Sequence, residues 1–273
     1  MVEGIQRKGM AQVNWIATVA AVLLGVASAL SGSLFFLLNA RRSLRRERAY
    51  QIDLPRLRHI AAVFGALTGL ALAALAAYFV ALNRWVGPIE WIGRGSYLLI
   101  AAAIGGHALK IVTAYMRLRR EERAVASKKG DAMESGSLGE VRWRAMLDLE
   151  KRYQRYTDLK NRDDETVDEL IGVVADPLLD TRRDLARIPF YGYLGTVCGI
   201  LLMAFELGKI NEATETFKVL SSMAGGLVLA FQTTLVALLA YLPLRKATDY
   251  LLQRLTELED TWRGWRTERA ESR

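Results

Sequence analysis

Residues 189–200 read PFYGYLGTVCGI, and the reading of this stretch decides the fold. It stands at the start of an apolar run, yet three of its twelve residues are glycine and one is threonine. In lipid two helices gain little hydrophobic energy by meeting, so they associate by close van der Waals packing at small residues. Gly195 and Gly199 form GxxxG, and Gly192 and Thr196 share the same four-residue spacing. Together the four make a flat strip on one face of a helix. Further along, Gly226, Ala230 and Thr234 are also four apart. Two such strips on runs joined by a short connection predict an antiparallel, closely packed membrane pair.

Working outward, five runs are long enough to span a hydrocarbon core of ~30 Å, which needs roughly 20 helical residues. They cover about 13–38, 58–82, 97–116, 188–208 and 220–244. The first is too long for a signal-peptide core and is followed by a basic cluster, so it reads as a retained helix. The chain is 52% hydrophobic and still 24% charged, a mixture that suits a membrane protein with charged segments outside the bilayer.

The net charge of +8 is distributed unevenly. Arg41, Arg42, Arg45, Arg46, Arg48 and Arg56 follow the first run. Residues 117–187 hold sixteen Lys/Arg and sixteen Asp/Glu, and the tail from Arg245 holds seven Lys/Arg. The segments 1–12, 83–96 and 209–219 carry two each. The positive-inside rule then predicts the N-terminus outside and the C-terminus in the cytoplasm, in agreement with five crossings. Trp15, Trp85 and Trp91 fall near the expected outer boundary. This pattern makes the lipid bilayer, and not nucleic acid, the partner of the basic residues.

Four units follow: an N-terminal hairpin with its outer loop over 1–96, a third span with a helical cytoplasmic region over 97–187, a closing pair over 188–244, and a C-terminal helix over 245–273. Within 117–187, ASKKGDAMESGSLGE reads as a loop, and Glu140 to Asp164 as one exposed amphipathic helix. In the tail Leu251, Leu255, Leu258, Trp262 and Trp265 form a heptad-like stripe. Two heptads fit a coiled coil, or equally a cover for the 117–187 helices.

Depth singles out the hydroxyls. At 1.5 Å per residue, Thr196 and Thr234 lie roughly 12 and 15 Å above the inner ends of their helices, so antiparallel neighbours hold them at one level. Thr233 and Gln232 add polarity there. A layer of hydroxyls suits a wet spot in a pore or a partner-binding groove. The other reading is that each Thr bonds back to its own helix carbonyl one turn earlier. Glu206 lies near the outer end of the fourth run, as an ion-access carboxylate or an interfacial Glu with its head in water. His107 is mid-span in the third, as a proton relay or as a neutral His bonded to a neighbouring helix. Lys110 can snorkel to the inner surface, and Cys198 reads as a small packing residue. No Ser/His/Asp set, P-loop, GxGxxG or HExxH occurs, so nothing points to an enzyme, a cofactor or a metal site.

PFYGYLGTVCGI resembles the signature of the MotA/TolQ/ExbB ion-channel family, which is close to PFLGLLGTVWGI. Pro189, Phe190, Gly192, Leu194, Gly195, Thr196, Val197, Gly199 and Ile200 match. A second signature, ALVATALGLFVAIP, is similar to AFQTTLVALLAYLP here, with Thr234 at the Thr and Pro243 at the Pro. The resemblance covers roughly 97–266, and the first two helices are additional to the three-helix TolQ/ExbB plan. It implies an all-α membrane protein that assembles as a ring, commonly of five copies. The last two helices of each copy line a pore, and a single-span partner similar to MotB, TolR or ExbD supplies an essential Asp. Proton or sodium flow across the bacterial inner membrane then drives mechanical work. The pore side is expected to hold Thr196, Thr233, Thr234 and Glu206. Packing falls to Gly192, Gly195, Gly199, Gly226 and Ala230, and Pro189 and Pro243 are structural parts of the motifs. Leu229 stands where TolQ/ExbB-like members carry Glu, and Cys198 where the signature has Trp. A non-conducting scaffold that assembles with a single-span partner is the other function consistent with these residues.

Overall fold

The computed structural model describes residues 19, 21–41, 57–81, 87–127, 136–153, 155–208 and 216–271. Trp15, Trp85, the arginines from Arg42 to Arg56 and the first residues of the first expected span lie outside them. Seven helices make up the described chain: α1 Ala21–Arg41, α2 Leu57–Ala81, α3 Pro88–Ala126, α4 Leu138–Arg152, α5 Tyr156–Leu185, α6 Ile188–Leu207 and α7 Thr216–Glu271. Among the described residues five helical stretches are long and apolar enough to cross a membrane. Each contains or overlaps one of the five expected runs, so the chain is a multi-pass, all-helical membrane protein.

The first hairpin is built by contact between backbones. A Cβ on Gly32 would stand 3.1 Å from the Gly65 carbonyl carbon and 3.2 Å from the Gly69 Cα. On Gly65 it would stand 2.7 Å from the Ser33 Cα. The Ser33 hydroxyl donates to the Ala62 carbonyl at 2.9 Å. α1 and α2 are therefore antiparallel and close, by the small-residue mechanism read for the last two helices. The hairpin leans on α3: a Cβ on Gly105 would meet the side chain of Thr68, and Leu109 packs with Phe36, Ala40 and Ala61.

α3 is longer than the span expected inside it. The loop expected up to residue 96 is helical from Pro88. Proline at the start of a helix loses no bond that the helix would have made. Glu90 lies in the first turn, where the helix dipole favours an acid, and pairs with Arg94. Arg94 also donates to the Phe79 carbonyl at 3.1 Å, which fastens the end of α2 to the start of α3. With 39 residues, α3 runs ~58 Å at 1.5 Å per residue, beyond any bilayer core and into the charged region.

There it meets α4, α5 and the second half of α7. The single helix expected over 140–164 is two helices, α4 and α5, separated by extended backbone at Tyr153 and Arg155. Packing accounts for the break: on either side of it, α4 lays Leu138, Trp143 and Met146 on the bundle and α5 contributes Val167, Leu170 and Val174. Ser137 caps α4 by accepting the Glu140 N–H at 3.1 Å. The stripe Leu251, Leu255, Leu258, Trp262 and Trp265 is buried in this core with Ile111, Ala114 and Leu118 of α3. Within the chain it covers the 117–187 helices.

A buried charge cluster pins the bundle. The Asp163 Oδ2 accepts from Arg142 Nη2 and from Arg266 Nη1, both at 2.8 Å. Asp163 and Arg142 are wholly buried. Arg142 also donates to the Trp262 carbonyl at 3.3 Å, so one carboxylate joins α4, α5 and α7. Removing one partner of a buried pair leaves the other charge uncompensated. Asp163→Ala is therefore expected to cost about 3–5 kcal/mol in the thermal or denaturant unfolding of the purified protein. Asp168→Ala, which breaks an exposed pair with Arg263, is expected to cost under about 1 kcal/mol. Equal losses in the two variants would contradict the role given to the cluster.

Candidate functional site

α5 ends at Leu185, and α6 begins at Ile188 after a turn of two residues, Ala186 and Arg187. Pro189 falls in the first turn of α6, where its missing N–H costs nothing. Pro243 lies inside α7, whose helix continues through it.

α6 and α7 are antiparallel and pack along the two strips of small residues. A Cβ on Gly192 would lie 2.6 Å from the Ala237 Cβ, and one on Gly199 would lie 2.8 Å from the Ala230 Cβ. A Cβ on Gly226 would lie 2.7 Å from the Gly199 carbonyl oxygen. Real Cβ atoms do not come so close, so these contacts hold only because the positions are glycine. Between them Gly195 receives the whole side chain of Thr233, which is fully buried.

The three threonines of the expected pore layer are brought together, in two different roles. Thr233 sits inside the seam. Its hydroxyl is 2.9 Å from the Leu229 carbonyl and 3.1 Å from the Ala230 carbonyl of its own helix. This is back-bonding, and a longer contact of 3.3 Å to the Gly192 carbonyl crosses to α6. Thr196 and Thr234 meet hydroxyl to hydroxyl across the seam at 2.5 Å. The Thr196 hydroxyl is 3.2 Å from the Gly192 carbonyl of its own helix and 3.0 Å from the Ala230 carbonyl of α7. The Thr234 hydroxyl is 3.3 Å from the Ala230 carbonyl and 3.5 Å from that of Gly192. Back-bonding, one of the two readings of the hydroxyls, is thus present in this pair, together with a cross-helix contact that the sequence did not specify. Each hydroxyl carries one proton. One Thr donates to the other, and the second donates to a carbonyl, so the pair can hold its two protons in more than one arrangement.

The seam has a closed side and an open side. On the closed side α3 approaches: a Cβ on Gly93 would come 2.8 Å from the Leu229 Cδ2 and 3.2 Å from the Cys198 Cβ. Cys198 is accordingly buried. On the open side the residues one turn from the threonine pair are exposed, namely Tyr193 and Ile200 on α6, and Phe231 and Leu238 on α7. Thr196 and Thr234 are half-buried at this edge. Gln232 is exposed and lies outside the seam.

Glu206 is not part of the pair. It is half-buried near the far end of α6, ten residues or ~15 Å along the helix from Thr196. Lys110 does more than reach for solvent, since its Nζ lies 3.6 Å from Asp184 Oδ2 beside the α5–α6 turn. The approach of Gly93 to α6 and α7 has no counterpart in the expected site. The small residues Gly93 and Ser96 on one face of α3 were the available signal.

Residues 179–264 match the model of the MotA/TolQ/ExbB proton channel family. The match takes in the last turns of α5, all of α6 and α7 as far as Gly264, and with them every residue of the seam. It is the family that the two signatures resemble, over a shorter stretch than the 97–266 of that resemblance. Comparison with curated proteins and with solved structures gives no match.

The seam is expected to be intolerant where a Cβ is excluded and tolerant elsewhere. Gly195→Ala, which drives a methyl into Thr233, should lower stability by about 1–3 kcal/mol. Gly225→Ala, where nothing lies within 4 Å, should be neutral or stabilise by up to about 1 kcal/mol. Thermal melting of the purified protein checks both, and a silent Gly195→Ala would show that the seam is looser than described.

Proposed function

We propose that this chain is the ring-forming subunit of a proton channel whose α6 and α7 line a central pore, and which works with a single-span partner carrying an essential Asp. The observation that carries this reading is the threonine pair. It lies in the segment matching the family, at one depth on two adjacent helices, at the edge of a seam whose open side is apolar and exposed. Apolar faces of this extent on both helices, including Phe190, Phe231, Leu235 and Leu239, suit contact with neighbouring copies and with a partner helix.

The paired hydroxyls offer a partner's carboxylate both a donor and an acceptor. They can hydrogen-bond it in its protonated and its ionised form without carrying charge themselves. A buried carboxylate in the membrane is costly and normally functional. The spans of α6 and α7 hold none at the depth of the pair, which supports assigning the titrating group to another chain. In this account Glu206 stands at the outer mouth, and the bundle of α3, α4, α5 and the second half of α7 lies in the cytoplasm, as the basic residues favour. The membrane is then the bacterial inner membrane.

A non-conducting scaffold is favoured by one observation, that the hydroxyls already satisfy each other. Conduction separates the two readings. Co-purification with the products of neighbouring genes, followed by native mass, is expected to return five copies of this chain with two of an Asp-bearing single-span protein. Vesicles holding that complex are expected to take up protons. A lone oligomer without such a partner, or a complex that passes no protons, would overturn the channel. Thr196→Val or Thr234→Val is expected to leave the assembly intact and to lower proton-driven function at least about tenfold, equivalent to ~1.4 kcal/mol. Normal function in both variants would remove the pair from the mechanism.

A further inference from the structure

A second polar group inside the membrane region stands apart from the threonine pair. His107 lies on the stripe of α3 that carries Ile100, Ile104, Ile111 and Leu118, at spacings of three and four. One turn toward the loop end, Ile104 packs with Leu185, Ile188 and Tyr241. One turn toward the charged end, Ile111 belongs to the core of the extramembrane bundle. His107 is thus inserted between two apolar clusters, where α3 crosses the turn between α5 and α6. Its Nδ1 is buried and has no hydrogen-bond partner. The sequence allowed a neutral His bonded to a neighbouring helix, but no such bond holds Nδ1.

The surroundings are specific. Lys110 from its own helix, Asp184 from the last turn of α5 and Arg187 from the α5–α6 turn are the charged groups that act on His107. They are linked to one another: Asp184 is 3.6 Å from Lys110 and 3.6 Å from Arg187. At this level α7 presents Tyr241 and Leu244, and the next residue, Arg245, is engaged with Asp249 at 3.0 Å. The opposite face of α3 is covered by α1 and α2, which bring the uncharged Thr68, Phe36 and Ala61 there. Ile188 is eight residues, or ~12 Å, from Thr196 along α6. Tyr191 occupies a register position between the two levels.

We propose that His107 is a proton-binding site that opens toward the Lys110–Asp184–Arg187 cluster, on the cytoplasmic side of the threonine pair. Nδ1, buried and without a partner, takes a proton from water and forms the imidazolium. The ring then releases one proton to water beside Asp184 and returns to neutral. Charge is conserved at each step, and no other reactant is needed. Asp184 brings the carboxylate of the cluster and Lys110 and Arg187 its cations, so the balance of the three tunes how readily the site loads. As a step in conduction the site rests on the channel reading, whereas its ionisation does not.

The chain has two histidines, so His59→Ala leaves His107 as the single imidazole reporter. In the full-length protein labelled with 15N-histidine, the imidazole signals are expected to move reversibly between neutral and cationic positions over about pH 5–8. Asp184→Asn is expected to move that midpoint by at least about half a pH unit, equivalent to ~0.7 kcal/mol. An imidazole that stays neutral over the whole range, or a midpoint that ignores Asp184, overturns the site. In vesicles holding the complex with its partner, His107→Gln should keep the assembly and cut proton uptake at least about tenfold, and unchanged uptake would remove His107 from the path. If the unsubstituted complex carries no protons, the channel reading falls and the titration decides the site by itself.

Discussion

The close approach of α6 to α7 is the constraint on which the rest depends. In lipid, apolar side chains on two helices gain nothing from each other that the acyl chains would not supply, so the seam must be made by backbones in contact. Gly192, Gly195, Gly199 and Gly226 permit that contact, and each excludes a Cβ from a site already filled by the other helix. Once the register of the glycines is fixed, the depth of the threonines is fixed with it. Thr196 and Thr234 face each other because Gly192 faces Ala237 and Gly199 faces Ala230. The hydroxyl pair follows from the packing, and any chemistry it performs inherits its geometry from glycine.

One helix of the seam, α7, runs on into the charged bundle. α7 has 56 residues, or ~84 Å at 1.5 Å per residue, and its second half is held by the stripe from Leu251 to Trp265 and by the Asp163 cluster. α3 runs alongside it, from Gly93 against Leu229 and Cys198 to Leu118 in the extramembrane core. A shift of α7 against α6 would therefore be felt in the charged bundle, and the reverse. Asp249, bonded by Arg182 and Arg245 at 3.0 Å each, joins α5 and α7 where the two regions meet.

Much of this was legible in the sequence because lipid leaves few solutions. The strips on α6 and α7 are a direct signature of helix contact, and five apolar runs of sufficient length became helices that contain or overlap them. Other features carried a signal that went unused. Ser28 and Gly32 on α1, with Gly65 and Gly69 on α2, have the same spacing as the strips on α6 and α7 and make the same kind of seam. Pro88 and Glu90 mark a helix start inside a stretch expected to be a loop. Other features left no local trace. The break at Tyr153 and Arg155 contains neither glycine nor proline, and it is imposed by the packing of α4 and α5 on α7. The stripe on α7 was visible, but its partner was not, since two heptads fit a second chain as well as a neighbouring helix. The burial of Thr233 beside the half-buried Thr234 depends on how its side chain enters the gap at Gly195, which no spacing in α7 alone reveals.

Central to the proposed channel is that Thr196 and Thr234 serve a partner's carboxylate as one hydrogen-bonded unit. A double-mutant cycle tests it most directly: proton uptake by vesicles holding the assembled complex, measured for Thr196→Val, Thr234→Val and the two together. If the hydroxyls work as a pair, removing one already disables the other, and the double variant loses little more than either single, with a coupling of about 1 kcal/mol or more. If the two losses simply add, the hydroxyls act independently and their proposed action as a pair is contradicted.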